Sequence, residues 1–389
     1  MGGTGSLRMG PAYDVAIDLR HVACTLRDVR LPAHADLNDG CRTLPERCCS
    51  MRAREHPPDH VLNLRIGEVV EVRSEREILA TLDENGELDA LPFMPEMLQF
   101  CGQRFKVYKL ALKLCDTIDW TGMHRMQHAV HLELVRCDGQ AHGGCQAGCL
   151  IYWKEAWLRR VDADEPDCVP PSTPPCTRAK LMTTTHKGMQ TTSSNDETFS
   201  CQATELIRAA PRRIPYWDIR QYAADVWSGN AGALAMIRTL CVGLFNKYQG
   251  FSKGFLPRPL LIRGGKRFPF IEGKLEKTPT EILNLQPGEL VRVKTKEEIF
   301  RTLDENNSNR GLSFDAEMLI YCGRQARVLR RVENIINEKT GKLMYFGNPC
   351  IVLENVICCG DYHQHCPRSI YPYWREIWLE RVSETKPRS

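Results

Sequence analysis

The chain contains 389 residues, of which 42% are hydrophobic and 26% are charged, and its formal net charge is +4. This composition is that of an ordinary globular protein, and it excludes collagen-like, low-complexity and highly charged disordered chains. The small positive charge falls short of the strongly basic composition that indicates a nucleic-acid-binding domain. No continuous apolar run is long enough to cross a bilayer, so we predict no transmembrane segment.

The chain is rich in cysteine, with 18 residues of this type. In a small exported protein such a count predicts a disulfide framework, but residues 1–20 contain no continuous apolar segment that could act as a signal peptide. We therefore expect a cytoplasmic location. In a reducing compartment, clustered cysteines are metal ligands or reactive thiols.

The first part of the chain divides into an arm and a domain. Residues 1–61 are polar and interrupted by prolines, and we predict a partly ordered N-terminal arm. Residues 62–161, the first segment, are predicted to form a small sheet-rich domain. Glu68–Arg73 alternates apolar and polar residues as a half-buried strand does. Ser74 and Glu77 have the spacing of a capping box at the start of a short helix.

Residues 283–382, the second segment, repeat the first. Cys322 follows Cys101 by 221 residues, and at that offset the two segments align without a gap. PEMLQFCG stands over AEMLIYCG, and YWKEAWLRRV stands over YWREIWLERV. A period this long indicates two copies of one domain rather than the units of a solenoid. Within the second segment, Asn337–Gly341 predicts a hairpin turn.

The region between the segments has two parts. Residues 162–200 are rich in Pro, Ser and Thr, which predicts a flexible linker. Residues 201–282 are predicted to be a helical connector with two helices that break near Ser228. The second helix is apolar on more than one side, so we expect burial between the segments rather than docking on a membrane surface. Residues 383–389 form a tail.

Three cysteines and one histidine recur at equivalent positions of the two segments. Each segment has a cysteine at a predicted helix end, about 35 residues, and then Cys-x4-His-x2-Cys. Thiolate and imidazole are ligands that zinc prefers, and a closed Cys3His set is a common structural site. We predict one zinc site in each segment. The predicted ligands are Cys101, Cys137, His142 and Cys145 in the first segment and Cys322, Cys358, His363 and Cys366 in the second.

Two alternatives remain open for these positions. Free cysteines are often buried as small hydrophobic residues, which would leave no metal site. Further donors in the same stretches, namely Cys149, Cys359 and His365, could also replace one of the predicted ligands.

Three resemblances extend these predictions. Gly288–Thr295, with the sequence GELVRVKT, resembles the first strand of SH3-like barrels, which implies a small barrel in each segment. Cys137-Asp138-Gly139 followed by His142 resembles the CDG-x-x-H end of the CDGSH iron–sulfur family, which implies a [2Fe–2S] cluster held by Cys3His as the alternative to zinc. The second segment departs from that motif, and neither segment has the C-x-C that precedes it in the family. As a whole, the segments resemble a duplicated bacterial family of unassigned function.

Two further candidates lie outside the recurring set. Cys201 precedes a predicted helix, and because helix N-termini lower thiol pKa values it is the candidate catalytic residue. Arg368 and Tyr371 have no counterparts in the first segment and lie in a stretch that mixes arginines with aromatic residues, as nucleic-acid-binding surfaces do. The recurring tryptophans nearby are expected in the core.

The sequence thus predicts an α+β protein with two tandem SH3-like barrel-type domains that carry helical insertions. The first functional hypothesis is a non-catalytic, zinc-stabilised binding or scaffold protein with a protein or small-molecule partner. The second is a redox or biosynthetic enzyme that uses a Cys3His metal or [2Fe–2S] site and Cys201. The third is a nucleic-acid-binding protein.

Overall fold

The fold is mixed α+β with few helices, and a computed structural model describes residues 61–161, 174–187 and 197–382. The predicted arm up to residue 60, the greater part of the predicted linker and the tail lie outside the described residues. The helices and strands of the first segment are β1 (Val69–Val72), α1 (Glu75–Thr81), β2 (Glu87–Leu88), β3 (Leu91–Pro92), a 3-10 helix (Pro95–Phe100), β4 (Arg104–Leu110), β5 (Lys113–Cys115), β6 (Met123–Arg125), β7 (Ala129–Arg136), β8 (Leu150–Lys154), a 3-10 helix (Glu155–Trp157) and β9 (Leu158–Arg160).

The remaining elements follow in two groups. Between the segments lie α2 (Arg178–Leu181), β10 (His186–Lys187), β11 (Thr198–Phe199), α3 (Gln202–Ala209), β12 (Arg213–Ile214), α4 (Ile219–Ser228), α5 (Ala233–Phe255) and two 3-10 helices (Arg258–Leu260 and Ile262–Gly265). The second segment contains β13 (Leu290–Val293), α6 (Lys296–Phe300), β14 (Ser308–Asn309), β15 (Leu312–Ser313), a 3-10 helix (Ala316–Tyr321), β16 (Gln325–Ile336), β17 (Leu343–Leu353), a 3-10 helix (Glu376–Trp378) and β18 (Leu379–Arg381).

Each segment has its own antiparallel sheet. The strand order is β8-β7-β4-β1-β9 in the first and β17-β16-β13-β18 in the second. Val70 of β1 lies opposite Phe105 and Arg160. Val291 of β13, which lies 221 residues later, is opposite Ala326 and Arg381. The flanking strands are therefore paired in the same register at the offset found in the sequence. The hairpin predicted at residues 337–341 joins β16 to β17.

The cores are built on pairs of tryptophans, as predicted. Trp153, Trp157, Trp374 and Trp378 are all fully buried. Phe93 meets the Trp157 ring edge-on at 5.2 Å between centroids, and an equivalent contact in the second segment measures 5.4 Å. Such edge-to-face pairs contribute roughly 0.5–1.5 kcal/mol beyond the area that they bury. These contacts fix the strands and 3-10 helices that carry the site residues.

The predicted capping box at the start of α1 is confirmed. The Ser74 hydroxyl accepts a hydrogen bond from the backbone N–H of Glu77, and the Glu77 carboxylate accepts one from the N–H of Ser74 at 2.9 Å. Thr295 and Glu298 make the same reciprocal pair at the start of α6. Each pair satisfies two N–H groups that the helix itself leaves without partners.

The connector contacts both segments. Lys113 of β5 and Asp225 of α4 form a buried ion pair with 2.5 Å between Nζ and Oδ2. The Asn230 side chain bonds to both the N–H and the carbonyl of Leu110, at 2.9 and 2.8 Å. On the other side, the Thr239 hydroxyl of α5 donates to the carbonyl of Asp361 at 2.9 Å. The connector therefore bridges the two sheets.

The expectation that α5 is buried between the segments is wrong for its apolar side. Leu234 is 84% exposed and Phe255 is 73% exposed. The inward face is instead more polar and includes Gln249, whose side-chain amide donates to the carbonyls of Ile262 and Lys266 at 2.9 and 2.8 Å. These hydrogen bonds to irregular backbone determine which face of the helix is turned inward.

The described part of the predicted linker is packed, which its composition did not indicate. Cys176 and Leu181 are fully buried and belong to the core of the first segment. The hydroxyl of Thr185 donates to the carbonyl of Ala141 at 2.6 Å. A few apolar residues in a segment rich in Pro and Thr are enough to bury it here.

A buried histidine in β7 makes the fold sensitive to acid. His131 is fully buried, its Nδ1 lies 2.9 Å from the carbonyl of Ile151, and burial lowers its pKa from 6.5 to about 3. Because the unfolded chain takes up this proton first, its contribution to stability should be lost as the pH falls from 6.5 towards 3, at about 1.4 kcal/mol per pH unit.

Urea unfolding at several pH values would measure this dependence. The variant His131→Phe should have a flatter acid limb, whereas His186→Gln, which changes an exposed histidine, should keep the wild-type slope. Equal slopes for wild type and His131→Phe would contradict the prediction.

Candidate metal centres

A glutamate on the 3-10 helix of each segment is buried beside the sheet. Glu96 and Glu317 occupy equivalent positions, and their side chains are 3% and 4% exposed. Pro95 begins the first of these helices, where its missing N–H costs nothing. The short 3-10 helix thereby aims a carboxylate into the interior.

The other two donors lie on the loop that follows a strand of the same sheet. In the first segment this loop turns sharply at Gly139, which has φ of +74° and whose Cβ, if present, would lie 2.0 Å from the carbonyl oxygen of Cys145. Only glycine fits there. The carbonyl of Gly139 then accepts the N–H of His142 at 3.1 Å. This turn brings the imidazole back to Cys137, and Gly360 has the same role for His363.

At the first centre the three side chains converge within bonding reach of one ion. Cys137 Sγ lies 3.3 Å from Glu96 Oε1 and 3.4 Å from His142 Nε2. His142 Nδ1 lies 3.1 Å from the same carboxylate oxygen. The three residues are at most 8% exposed. All their ligand atoms lie within 4.8 Å of one another, so this group could hold a metal ion.

Two polar atoms of this centre are buried without hydrogen-bond partners among the described residues. They are Glu96 Oε2 and His142 Nδ1. The 3.1 Å approach of His142 Nδ1 to Glu96 is thus a charge contact without hydrogen-bond geometry. Leaving such atoms unsatisfied costs roughly 1–3 kcal/mol each. A carboxylate, a thiol and an imidazole with unused lone pairs are the donor set that a metal ion satisfies.

The electrostatics of the centre indicate what metal binding must do. Burial raises the pKa of the Cys137 thiol. Burial also acts to raise the pKa of Glu96, but His142 and Cys137 outweigh it and hold that pKa below its usual value. In the absence of metal, the centre thus carries a carboxylate and a protonated thiol. Metal binding must displace the thiol proton, which makes affinity dependent on pH.

The second centre has the same donors in a looser arrangement. His363 Nδ1 lies 3.7 Å from Cys358 Sγ and 3.9 Å from Glu317 Oε1. The backbone N–H of Tyr362 donates to the same carboxylate oxygen at 2.6 Å. Asp315, which stands where the first segment has a methionine, places Oδ2 3.6 Å from His363 Nε2. The His363 side chain is 30% exposed, so this centre is the more open of the two.

The predicted fourth ligands at the helix ends are wrong. Cys101 and Cys322 follow the 3-10 helices and belong to neither donor group. With three residues per turn, a residue five positions after the glutamate points away from it. Burial raises the pKa of both thiols to about 11. The missed donors, Glu96 and Glu317, are identical at equivalent positions, and that recurrence was the signal that could have identified them.

The third predicted cysteine of each segment also lies outside the donor groups. Cys145 Sγ accepts the backbone N–H of Ile336 at 3.3 Å, and Cys366 Sγ accepts that of Cys115 at 3.2 Å. Each sulfur thus faces the opposite segment. The sharp loop that returns the imidazole to the strand turns the next cysteine outward to this interface, and spacing alone could not distinguish the two directions.

The remaining candidates are buried. Cys201 is the residue before α3, but burial raises its pKa, so it is not the activated thiol that was expected. His365 Nε2 lies 3.0 Å from the Thr239 hydroxyl. Arg368 is 5% exposed and donates to Glu338 at 2.8 Å, which removes it from any nucleic-acid-binding surface. The other three are Cys149, which lines a cavity, Cys359, which contacts Tyr321, and Tyr371, which packs against Arg136.

No family model matches this sequence, and no curated protein or solved structure resembles it significantly. None of the helices in the described ranges is long and apolar enough to span a membrane. Assignment of a function therefore depends on the geometry of the two centres.

Proposed function

We propose that the protein binds two divalent metal ions, with zinc as the expected metal, one at each Glu/Cys/His group. Each ion would join a 3-10 helix to a loop that lies about 40 residues later in the same segment. In this proposal the two segments are copies of one SH3-like barrel-type domain, and the whole is a metal-stabilised binding or scaffold protein. The unsatisfied buried atoms Glu96 Oε2 and His142 Nδ1 are the observation that carries the proposal.

The recurrence of the donors is the second argument. Glutamate, cysteine and histidine occupy equivalent positions in both segments, and the same three side chains meet in both. A buried glutamate beside a buried thiol has no packing advantage over an apolar residue. A role in metal binding explains why both segments place a carboxylate there.

A second candidate function follows from the number of donors. Closed structural zinc sites have four protein ligands, whereas catalytic sites have three and leave a position for water or substrate. Each group here supplies three donors. An enzyme, or a binding protein whose small-molecule or protein ligand completes the coordination, is therefore the alternative. Retention of a water with a lowered pKa on the bound metal would favour it.

Metal content separates these proposals from a protein without metal. Full-length protein saturated with Zn²⁺ and then desalted should retain about two ions, one for each group. Cys137→Ser and Cys358→Ser should each retain about one, because a thiolate ligand is lost.

Cys101→Ser is the matched control, since Cys101 was the predicted ligand that lies outside the group. It should retain both ions. Loss of zinc in Cys101→Ser equal to that in Cys137→Ser would overturn the proposed donor set, and no retained zinc in the wild type would overturn the function.

A further inference from the structure

The first centre borders an enclosed cavity that has no equivalent in the second segment. Its volume is about 40 Å³, and it lies between the loop after β7, the start of α3 and the second segment. Four cysteines line it, namely Cys137, Cys145, Cys149 and Cys201. His142 and Arg368 also line it, and most of the remaining lining is apolar.

The cavity walls include polar groups that lack partners. Tyr152 is 3% exposed, and its hydroxyl has no hydrogen-bond partner among the described residues. His142 Nδ1 is in the same condition. An enclosed space bordered by four thiols and two unsatisfied polar side chains is unlike the interior of an ordinary core, where polar atoms are almost always satisfied.

The spacing of the sulfurs excludes one ion as the shared ligand of these thiols. A zinc ion binds each sulfur at about 2.3 Å, so two sulfurs on one ion are at most about 4.6 Å apart. No three of the four thiols lie within 4.8 Å of one another. Sulfurs that surround a space without converging are instead arranged for a core of several atoms. Iron–sulfur clusters are held by four cysteine thiolates in this way.

We propose that the first centre holds an iron–sulfur cluster, with Cys137, Cys145, Cys149 and Cys201 as its ligands, while the second centre holds a single ion. The proposal rests on the proposed function in one respect, since Cys137 serves as a metal ligand in both. Binding of the cluster replaces the proton of each thiol by a bond from sulfur to iron. The iron and sulfide come from outside the protein.

Two features of the surroundings suit an anionic cluster. The backbone N–H of Ile336 donates to Cys145 Sγ at 3.3 Å, and hydrogen bonds to sulfur are among the interactions that tune such clusters. Arg368, a buried cation, lines the same space. Its guanidinium is held by Thr117 at 2.7 Å and by Glu338 at 2.8 Å.

The second segment is an internal comparison. Ile370 stands where the first segment has Cys149, and Cys201 lies between the segments and therefore has no counterpart. Cys366 Sγ is directed to the backbone of Cys115 instead. The second centre thus retains Cys358 but lacks the surrounding thiols, so the proposal predicts a cluster in one centre only.

Anaerobic reconstitution of the full chain with ferrous iron and sulfide tests the proposal. The wild type should become brown, contain iron and acid-labile sulfide, and give an EPR signal in one redox state. The ratio of iron to protein distinguishes a two-iron from a four-iron cluster. Cys149→Ser and Cys201→Ser should each retain at least about tenfold less iron and sulfide, because loss of a ligand exceeds the effect of changes outside the coordination sphere.

Cys350→Ser is the matched control, because Cys350 is a fully buried thiol of the second segment that does not line the cavity. It should keep the cluster. Circular dichroism checks that each variant is folded. A colourless wild type, or equal iron and sulfide in Cys149→Ser, Cys201→Ser and Cys350→Ser, would overturn the proposal. Two retained zinc ions in that case would leave the proposed function standing, whereas loss of zinc from the second centre would contradict the function and not the cluster.

Discussion

Removal of bound zinc with a strong chelator should lower the free energy of unfolding by on the order of 5 kcal/mol, which is about half of what structural zinc contributes in domains without a large core. For a chain of this size such a loss corresponds to a fall of about 10 °C in the thermal midpoint. The physical reason is that the apo protein keeps the Glu96 carboxylate buried with one unsatisfied oxygen. Differential scanning calorimetry with and without chelator would measure the change.

The ligand variants provide the control for this prediction. Cys137→Ser should respond less to the chelator than the wild type, because it has already lost zinc at the first centre. Cys101→Ser should respond as the wild type does. An unchanged midpoint in the wild type after metal removal, confirmed by metal analysis, would show that the centres do not stabilise the fold.

The second large effect is expected at the buried ion pair between β5 and α4. The side chains of Lys113 and Asp225 are 2% and 0% exposed. Burial lowers the pKa of Lys113 and raises that of Asp225, so desolvation opposes both charges. Asp225→Ala would leave an ammonium group in the interior without its counter-charge, which should cost about 3–5 kcal/mol. The double variant Lys113→Met/Asp225→Leu should be about as stable as the wild type or more stable.

Urea unfolding of the two single variants and the double variant would give the coupling free energy. An exposed pair, Lys339 with Asp119, is the control, since their side chains are 65% and 57% exposed. Asp119→Ala should cost less than about 1 kcal/mol. A double variant as unstable as Asp225→Ala would contradict the interpretation, because it would show that the charges themselves hold α4 in place.

Local patterns in the sequence predicted local structure well. The alternation at Glu68–Arg73 and the spacing of Ser74 and Glu77 specified a strand and a capped helix, because these signals depend on neighbouring residues only. The paired tryptophans were recognised as core residues for a similar reason, since large rings at equivalent positions of two sheets have few other uses.

Predictions that required tertiary contacts were less successful. Cys145 was assigned to the metal site from its spacing, but its sulfur contacts the backbone of the second segment, which lies 191 residues away in the chain. Glu96 was overlooked, because nothing in its local sequence shows that a glutamate on a short 3-10 helix is buried. The exposed face of α5 was misjudged as well, because polar contacts from Gln249 determine its orientation.

Anomalous diffraction from crystals of the zinc-loaded protein, with data recorded on both sides of the zinc absorption edge, tests the two-centre arrangement most directly. Two zinc peaks should appear, one among Glu96, Cys137 and His142 and the other among Glu317, Cys358 and His363. A zinc peak bonded to Cys101 or Cys322, or the absence of a peak at both groups in a folded protein, would contradict it.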